Sequence, residues 1–280
     1  MVSVVEVVLF TLLRPQALTV QCGSEGERVI TEAATFRGNC TVGVEGAPAR
    51  RLTGEFVVTR VKDSLRIVCK IEVEEITAAI VSAESPPNAT AAMLEAQAIV
   101  ARSWLMASNK RHADTAFCDT THCQHFKEAD ERGIKAARAT KGLVLSWQGK
   151  PFAPAYFASC GGRTKTAYEI GWRDDNRYPY FAVECPVCQR NEPRWTRTFT
   201  GELAALLRKA PNKEATRLAI GREEGWDALP SNNYWLSGNH VEGRGHGHGL
   251  GLCQRGAAGF STAAAILAHY FPGASVTVTR

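Results

Sequence analysis

The pattern of hydrophobic and polar positions changes near residue 73. Before that point, short β-branched stretches alternate with turns that contain Gly, Pro and charged residues. These stretches predict four strands, at Val2–Leu13, Leu18–Cys22, Leu52–Arg60 and Leu65–Val73. After that point, apolar residues recur three and four positions apart, which predicts a short helix over Glu74–Ala83. The chain is therefore expected to begin as a β-rich region and to continue with helices.

Further elements follow along the chain. Pro86 and Pro87 end the first helix, and Asn88 or Thr90 is expected to cap a second helix that carries Leu94 and Leu105 on one stripe. Later patterns predict helices near Ala129–Ala139, Leu203–Leu207 and Ser261–Tyr270, and a hairpin of Leu143–Trp147 with Phe152–Phe157 that turns at Gln148 and Gly149. Strands first and helices later predict an α+β fold, in which N-terminal antiparallel strands precede a mixed helical and hairpin core.

No repeat or linker divides the chain, so we expect a single domain over residues 1–280. Its predicted parts are a β-rich region (1–73), a core that contains a Cys/His loop (74–188) and a C-terminal part (189–280). Residues Val2–Leu13 are apolar, but Glu6 interrupts them and no basic segment precedes them. We therefore interpret this stretch as a strand rather than a signal peptide, and no export signal is visible.

Composition narrows the function classes. With 45% hydrophobic and 22% charged residues, the 280-residue chain is not of the disordered type. No stretch approaches the roughly 18 consecutive apolar residues of a membrane span. The net charge of +5 is too small to indicate a nucleic-acid partner, although it suits an anionic polymer or a wall surface.

Nine cysteines are spread along the chain, and this odd number is not typical of a secreted disulfide framework. His112, Cys118, His122 and Cys123 lie within 12 residues and offer the ligand types that tetrahedral zinc prefers. A Cys118–Cys123 disulfide and two unrelated pairs are the alternatives. Cys185 and Cys188 form a CxxC motif, for which a local disulfide or a redox-inert pair is favoured over a second metal site.

Glu84 is the residue whose position suggests acid chemistry. It ends the first predicted helix, where the partial negative charge of the helix C-terminus disfavours a carboxylate and is expected to raise the pKa. A carboxylic acid that stays protonated near neutral pH suits the general acid of glycosidic bond cleavage. A solvated surface glutamate is the alternative. The glycine-rich loop Gly245–Gly249, which contains His246 and His248, allows close approach of a ligand to the backbone.

Several segments together resemble the stage II sporulation protein D (SpoIID)/LytB family. They follow the family's order and spacing from about residue 52 to 274. The segments are EEITAAIVSAESPP before and after Glu84, AQAIVARSW (Ala96–Trp104), CDTTHCQHF (Cys118–Phe126), the hairpin TKGLVLSWQGKPFAPAYFASCGGRT, and GHGLGLCQRGA (Gly247–Ala257).

This resemblance implies a lytic transglycosylase that cleaves the MurNAc–GlcNAc linkage of peptidoglycan and leaves 1,6-anhydro-MurNAc ends. It places the catalytic acid and base at Glu84. Substrate contacts are implied at His248, Gln254, Ser159, Gly161, Gly162 and Gln124, with His248 and the Ser159–Gly162 turn bordering the same cleft as Glu84. Some members hold zinc in the Cys/His loop, so a structural zinc is expected on His112, Cys118, His122 and Cys123.

The resemblance also implies an extracytoplasmic location, peptidoglycan strands as the partner and a cell-wall amidase as a further candidate partner. Four positions depart from the family pattern. Ala92 stands where many members have a second Glu, Cys160 and Cys253 replace serines, and Trp104 replaces a tyrosine. The loss of the second Glu favours the alternative of a non-catalytic wall-binding or amidase-enhancing module of the LytB type.

Overall fold

The computed structural model describes residues 4–108, 112, 117–120, 122–172, 178–191, 194–209 and 212–279. The chain forms two compact units. The first comprises Met1–Pro87, Gln97–Val144 and Thr277–Arg280, and the second comprises Asn88–Ala96 and Leu145–Val276. Helices and strands contribute 31% and 32% of the residues, and the predicted α+β class with an antiparallel N-terminal sheet is confirmed. The single domain over 1–280 stays a prediction.

A seven-stranded sheet forms the body of the first unit. Its strands are β1 (Val4–Leu9), β2 (Leu18–Cys22), β3 (Arg28–Ile30), β4 (Ala34–Gly43), β5 (Arg50–Val61), β6 (Ser64–Glu72) and β7 (Phe117–Cys118), in the order β3-β2-β4-β5-β6-β1-β7. All neighbours are antiparallel except β1 and β7. Alternate residues of β1, β5 and β6 are buried, as expected for a sheet with one covered face.

The four predicted strands of this sheet are present with small differences at their ends. The predicted Val2–Leu13 strand stops at Leu9 because Phe10 has a positive φ of 56°, and residues 2 and 3 lie outside the described residues. Strands β3 and β4 were not predicted. In β4, residues Arg37–Asn39 are exposed and have the composition of a turn, and Gly38 has a φ of 124°.

A disulfide between Cys22 and Cys40 joins β2 to β4, where the two residues face each other in the register. The odd number of cysteines is not typical of a secreted disulfide framework, and this pair was not predicted to be bonded. The disulfide could not be predicted without β4, since only the pairing of β2 with β4 brings the two residues together.

Three helices complete the first unit: α1 (Val73–Glu84), α2 (Ala91–Ala107), whose first residues belong to the second unit, and α3 (Glu131–Ala139). Thr90 caps α2, since its hydroxyl accepts a hydrogen bond from the Met93 amide at 3.3 Å. Helices α1 and α3 pack closely because Gly133 has no side chain: a Cβ there would collide with Ser82 and the Ala78 carbonyl. This packing fixes the C-terminal end of α1, where Glu84 lies.

The second unit contains smaller sheets and short helices. Strands β8 (Leu143–Trp147) and β9 (Lys150–Pro151) form the predicted hairpin, in which Gln148 and Gly149 both have positive φ. The second arm of the hairpin is shorter than predicted. Tyr156–Phe157 forms β10, which pairs in parallel with β14 (Leu252–Cys253) rather than with β8.

The other elements of this unit surround a second core. They are α4 (Ala167–Ile170), α5 (Pro186–Asn191), β11 (Arg194–Thr198), α6 (Gly201–Lys209), α7 (Lys213–Glu224), β12 (Tyr234–Ser237), β13 (His240–Arg244), α8 (Gln254–Ala257), α9 (Ala263–Tyr270) and β15 (Ser275–Val278). The sheet β11-β13-β12 packs on α6 and α7 through Phe199, Leu207, Ile220 and Val241. The helices predicted near Leu203–Leu207 and Ser261–Tyr270 are present as α6 and α9.

Candidate functional site

Glu84 is the last residue of α1, as predicted. The chain leaves the helix at Ser85, whose extended φ and ψ of −87° and 141° lead into Pro86. The Glu84 side chain is partly buried, and its Oε1 accepts a hydrogen bond from the His125 amide at 2.9 Å. The carboxyl group is therefore held in place by the loop that follows β7.

Arg102 on α2 supports the same region from inside the first unit. Its guanidinium is 1% exposed and makes a two-pronged ion pair with Glu74 on α1, at 2.6 and 3.0 Å. It also donates to the carbonyls of Ala137 and Leu143 and to the Thr140 hydroxyl. One buried cation thus joins α1, α2 and α3, and the sequence alone gave no indication of this role.

The four predicted metal ligands come together around β7: His112 precedes this strand, Cys118 ends it, and His122 and Cys123 lie in the loop after it. Their ligand atoms all lie within 4.8 Å of one another. Cys123 Sγ is 3.4 Å from His112 Nε2 and 3.7 Å from His122 Nδ1, and Cys118 Sγ is 3.9 Å from His122 Nδ1. Bond lengths of ~2.0–2.1 Å to nitrogen and ~2.3 Å to sulfur at tetrahedral angles give an N···S separation of about 3.6 Å. The donor set and its spacing fit one tetrahedral metal ion, and neither cysteine is in a disulfide.

Two residues that the sequence analysis did not single out shape this loop. Asp119 is buried and accepts hydrogen bonds from the amides of Phe10 and Thr11, so it ties the loop to the end of β1. The Thr120 hydroxyl accepts from the His122 amide and lies 3.2 Å from Cys118 Sγ. Both are small polar residues inside the CDTTHC segment, and only their position next to the ligands could have suggested this function.

Gln124 lies beside the residue that holds Glu84. Its side chain is 6% exposed, and among the described residues neither its amide oxygen nor its nitrogen has a hydrogen-bond partner. It borders a small cavity of about 10 Å³ that is otherwise lined mainly by apolar residues such as Ile80 and Trp104. Burial, followed by the charge of Arg50, lowers the pKa of the neighbouring His125.

The predicted substrate residues of the second unit also lie together. The Ser159 amide donates to the His246 carbonyl at 3.0 Å, and the His246 amide donates to the Ser159 carbonyl at 2.8 Å. Gly245 and Gly161, with φ of 80° and 69°, allow this close approach of the two backbones. Gln254 begins α8 directly after β14, whose partner strand β10 leads into the Ser159 turn.

His248 uses both of its ring nitrogens inside this loop. Nδ1 accepts from the Leu250 amide at 3.0 Å, so Nε2 carries the hydrogen and donates to the Tyr156 carbonyl at 2.9 Å. Burial lowers the pKa of His248 to about 4, and the charge of Glu214 opposes this shift only in part. The imidazole is neutral near pH 7 and holds the loop in place.

The lowered pKa of His248 predicts a pH-dependent stability. Between pH 6.5 and 4 the unfolded chain binds a proton at this residue and the folded chain does not, so the free energy of unfolding falls as the pH falls through this window. The loss is on the order of 3 kcal/mol at pH 4. We expect His248→Gln, which keeps a donor and an acceptor, to lose less free energy of unfolding than the wild type between pH 6.5 and 4. Urea unfolding at several pH values measures this difference. Parallel curves for the two proteins would contradict it.

Cys160, Cys185, Cys188 and Cys253 form a second cluster in the second unit. All four are buried, their sulfur atoms lie within 4.8 Å of one another, and none is in a disulfide. Hydrogen bonds from neighbouring thiols, chiefly that of Cys160, lower the pKa of Cys185 and of Cys188. The expected Cys185–Cys188 disulfide is absent. The redox-inert pair stays a prediction, and the fold adds to this pair two cysteines that are distant in sequence.

Comparison with known proteins bears on the first unit. Residues 61–147, from the end of β5 through β8, match the family model described as Stage II sporulation protein, SpoIID. Residues 61–147 are therefore similar to the SpoIID domain. The matched residues include Glu84, Gln124 and the four Cys/His ligands, whereas the Ser159 turn, His248 and Gln254 lie outside them. The match indicates a role connected with the cell wall.

A relative extends the similarity beyond residues 61–147. An uncharacterized protein of Brachyspira hyodysenteriae is 23% identical over 265 residues, an alignment that covers 80% of this chain and 71% of that protein. Its name assigns no activity. Among the described residues, no helix combines the length and the apolar character needed to cross a bilayer.

Proposed function

We propose that this protein is a peptidoglycan lytic transglycosylase with Glu84 as its only catalytic carboxyl group. The observation that carries the proposal is the position of Glu84: it ends α1 in the segment that matches the SpoIID family model, and the His125 amide holds its carboxylate oxygen. One fixed carboxyl group is sufficient, because the sugar supplies its own nucleophile.

The proposed reaction has two proton transfers. Glu84 first donates its proton to O4 of GlcNAc as the bond between that oxygen and C1 of MurNAc breaks. The Glu84 carboxylate then accepts the proton of the MurNAc C6 hydroxyl, whose oxygen bonds to C1 and closes the 1,6-anhydro ring. The carboxyl group ends protonated as it began, and no water is consumed. The His125 amide would stabilise the charged form between the two steps.

We propose that glycan contacts come from Gln124 near Glu84 and from the loop residues of the second unit. The buried amide of Gln124 has no hydrogen-bond partner among the described residues, and a bound polar ligand can satisfy such a group. In the second unit, the resemblance assigns glycan contacts to Ser159, Gly161, Gly162 and Gln254; the first three are buried, and Gln254 is partly exposed. His248 is assigned the holding of its loop rather than proton transfer, because both ring nitrogens are engaged.

We propose that His112, Cys118, His122 and Cys123 bind one structural zinc ion. When bound, zinc would fix the loop from Cys118 to His125 and with it the amide that holds Glu84. Four protein ligands leave no open position for an activated water, so this site supplies structure rather than Lewis-acid chemistry.

Zinc content tests this assignment. We expect Cys118→Ser to lower the zinc content of protein purified without a His tag by one ion per chain. A tetrahedral site loses most of its affinity for zinc when one thiolate ligand is removed. His125→Gln, two residues from Cys123, is the matched control and should keep its zinc. Unchanged zinc in Cys118→Ser would refute the site, and a Cys118–Cys123 disulfide found by mass spectrometry would replace it.

The Cys22–Cys40 disulfide supports an oxidising, extracytoplasmic location, where peptidoglycan lies. Peptidoglycan strands are thus the proposed partner.

Ala92 favours a second candidate function, a non-catalytic wall-binding or amidase-enhancing module, since many members of the SpoIID/LytB family carry a second Glu at the corresponding position. Digestion of purified glycan strands separates the two: an enzyme produces new 1,6-anhydro ends, detected by mass spectrometry, whereas a binding module co-sediments with the strands and leaves them intact.

A further inference from the structure

The four-cysteine cluster of the second unit has no part in the proposed glycan chemistry. Three separate segments contribute to it: Cys160 follows β10, Cys185 and Cys188 surround the start of α5, and Cys253 ends β14. These residues are 25 to 93 positions apart along the chain except within the CxxC motif, so only the tertiary fold brings them together. A set of buried residues gathered from three segments needs a physical explanation.

The spacing of the sulfur atoms is that of a mononuclear metal site. Zinc–sulfur bonds of ~2.3 Å at tetrahedral angles separate the sulfurs by about 3.8 Å. Cys188 Sγ and Cys253 Sγ are 3.7 Å apart, and all four sulfurs fall within 4.8 Å. An iron–sulfur cluster would place several irons and sulfides between the thiolates and would need them farther apart.

Backbone amides are directed at the sulfur atoms, as thiolates require. Gly162 N–H donates to Cys160 Sγ at 3.4 Å, and the amides of Cys160 and Gly256 each donate to Cys253 Sγ at 3.3 Å. The Tyr270 hydroxyl lies 3.4 Å from Cys185 Sγ. Hydrogen bonds from backbone amides to Cys160 Sγ and Cys253 Sγ are of the kind that surrounds the thiolate ligands of metal sites.

Glycine at position 256 makes room for the cluster. A Cβ there would collide with Cys185 Sγ and with the Tyr270 hydroxyl. The 253–256 segment can therefore approach the CxxC motif this closely only without a side chain at position 256.

All nine cysteines of the chain then have an assignment. Cys22 and Cys40 form the disulfide, Cys118 and Cys123 belong to the first cluster, and four belong to the second. Cys69 is the ninth; burial raises its pKa to about 12, which keeps it an unreactive thiol. Metal ligation would protect the cluster thiols in the oxidising location that the disulfide supports.

We infer that Cys160, Cys185, Cys188 and Cys253 bind a second zinc ion, in a closed four-thiolate site. Binding displaces the thiol protons and joins β10, α5 and β14 through one centre. This holds the Ser159–Gly162 turn, which bonds to the His246 loop, in its observed conformation. The site is structural because all four positions of the metal are filled by protein.

Elemental analysis of the full chain, purified without a His tag, tests the inference. The double variant Cys185→Ser/Cys188→Ser should lose one zinc ion per chain relative to wild type, and Cys69→Ser, the matched buried control, should lose none. The inference would be overturned if the double variant had the same zinc content per chain as the wild type, or if the wild type contained iron in place of zinc. Because the readout is metal content, a failure here leaves the glycan-cleavage proposal standing.

A second measurement covers the case in which the double variant does not fold. Cobalt(II) bound to folded Cys118→Ser, which retains only this cluster, should give the intense thiolate-to-metal absorption of a four-sulfur site. In the native wild type, alkylation should leave the four cysteines unmodified until a chelator is added. Disulfides among them in non-reduced peptides, or alkylation that a chelator does not change, would overturn the inference.

Discussion

Glu84→Gln should reduce the rate of formation of 1,6-anhydro ends by at least ~10²–10⁴-fold, the usual cost of removing a general acid. The expected loss lies at the upper end of this range or beyond it, because one residue serves both proton transfers. Glutamine keeps an oxygen that can accept from the His125 amide, so the end of α1 should keep its structure. The rate is measured by mass spectrometry of released muropeptides, and folding by circular dichroism.

Glu95→Gln is the matched control for this experiment. Glu95 lies within α2 in the same segment that matches the SpoIID family model and is partly buried, as Glu84 is, but it is not at a helix end. We expect near wild-type activity from it. Wild-type activity in Glu84→Gln would mean that another group donates the proton, and equal losses in both variants would indicate a general structural effect.

Arg102→Met should destabilise the first unit by about 3 kcal/mol, because carbonyl acceptors inside the protein and the Glu74 carboxylate, which is 32% exposed, lose their partner. Methionine fills much of the volume but cannot pair with Glu74 or donate to the Ala137 and Leu143 carbonyls. These acceptors would lose partners inside the protein. The change in the free energy of unfolding is measured by urea titration.

Two further variants test why Arg102→Met lowers the free energy of unfolding. Arg102→Lys keeps the charge but not the planar fork that reaches Glu74 with two nitrogens, so most of the loss should remain. Arg138→Met, at an exposed position of α3, should change stability by no more than about 0.5 kcal/mol. A loss below about 1 kcal/mol in Arg102→Met would contradict the joining role of this cation.

The elements with a clear hydrophobic period could be predicted from the sequence. Helix α1 differs from its predicted range by one residue at each end, and β2 has its predicted bounds. Strand β4 could not be predicted, because its hydrogen bonds to β2 and β5 outweigh a local sequence that favours a turn. The Cys22–Cys40 disulfide was missed for the same reason.

The candidate site was predictable where its residues are close in sequence. His112, Cys118, His122 and Cys123 lie within 12 residues of the sequence, and the structure brings them together. The second cluster was not predictable. The parallel pairing of β10 with β14 brings Cys160 to Cys253, and a hydrogen bond from the Cys185 amide to the Gly162 carbonyl brings the CxxC motif to the same turn. The bond from the His125 amide to Glu84 likewise depends on how a loop returns to the end of a helix 41 residues earlier.

The central claim is that Glu84 cleaves glycan strands by an intramolecular reaction that consumes no water. It is tested most directly by digesting purified glycan strands with the full chain in water labelled with oxygen-18. The claim predicts 1,6-anhydro-MurNAc ends that contain no label, and none above background with Glu84→Gln. Labelled reducing ends would indicate a hydrolase, and intact strands would indicate a non-catalytic wall-binding module; either result would contradict the claim.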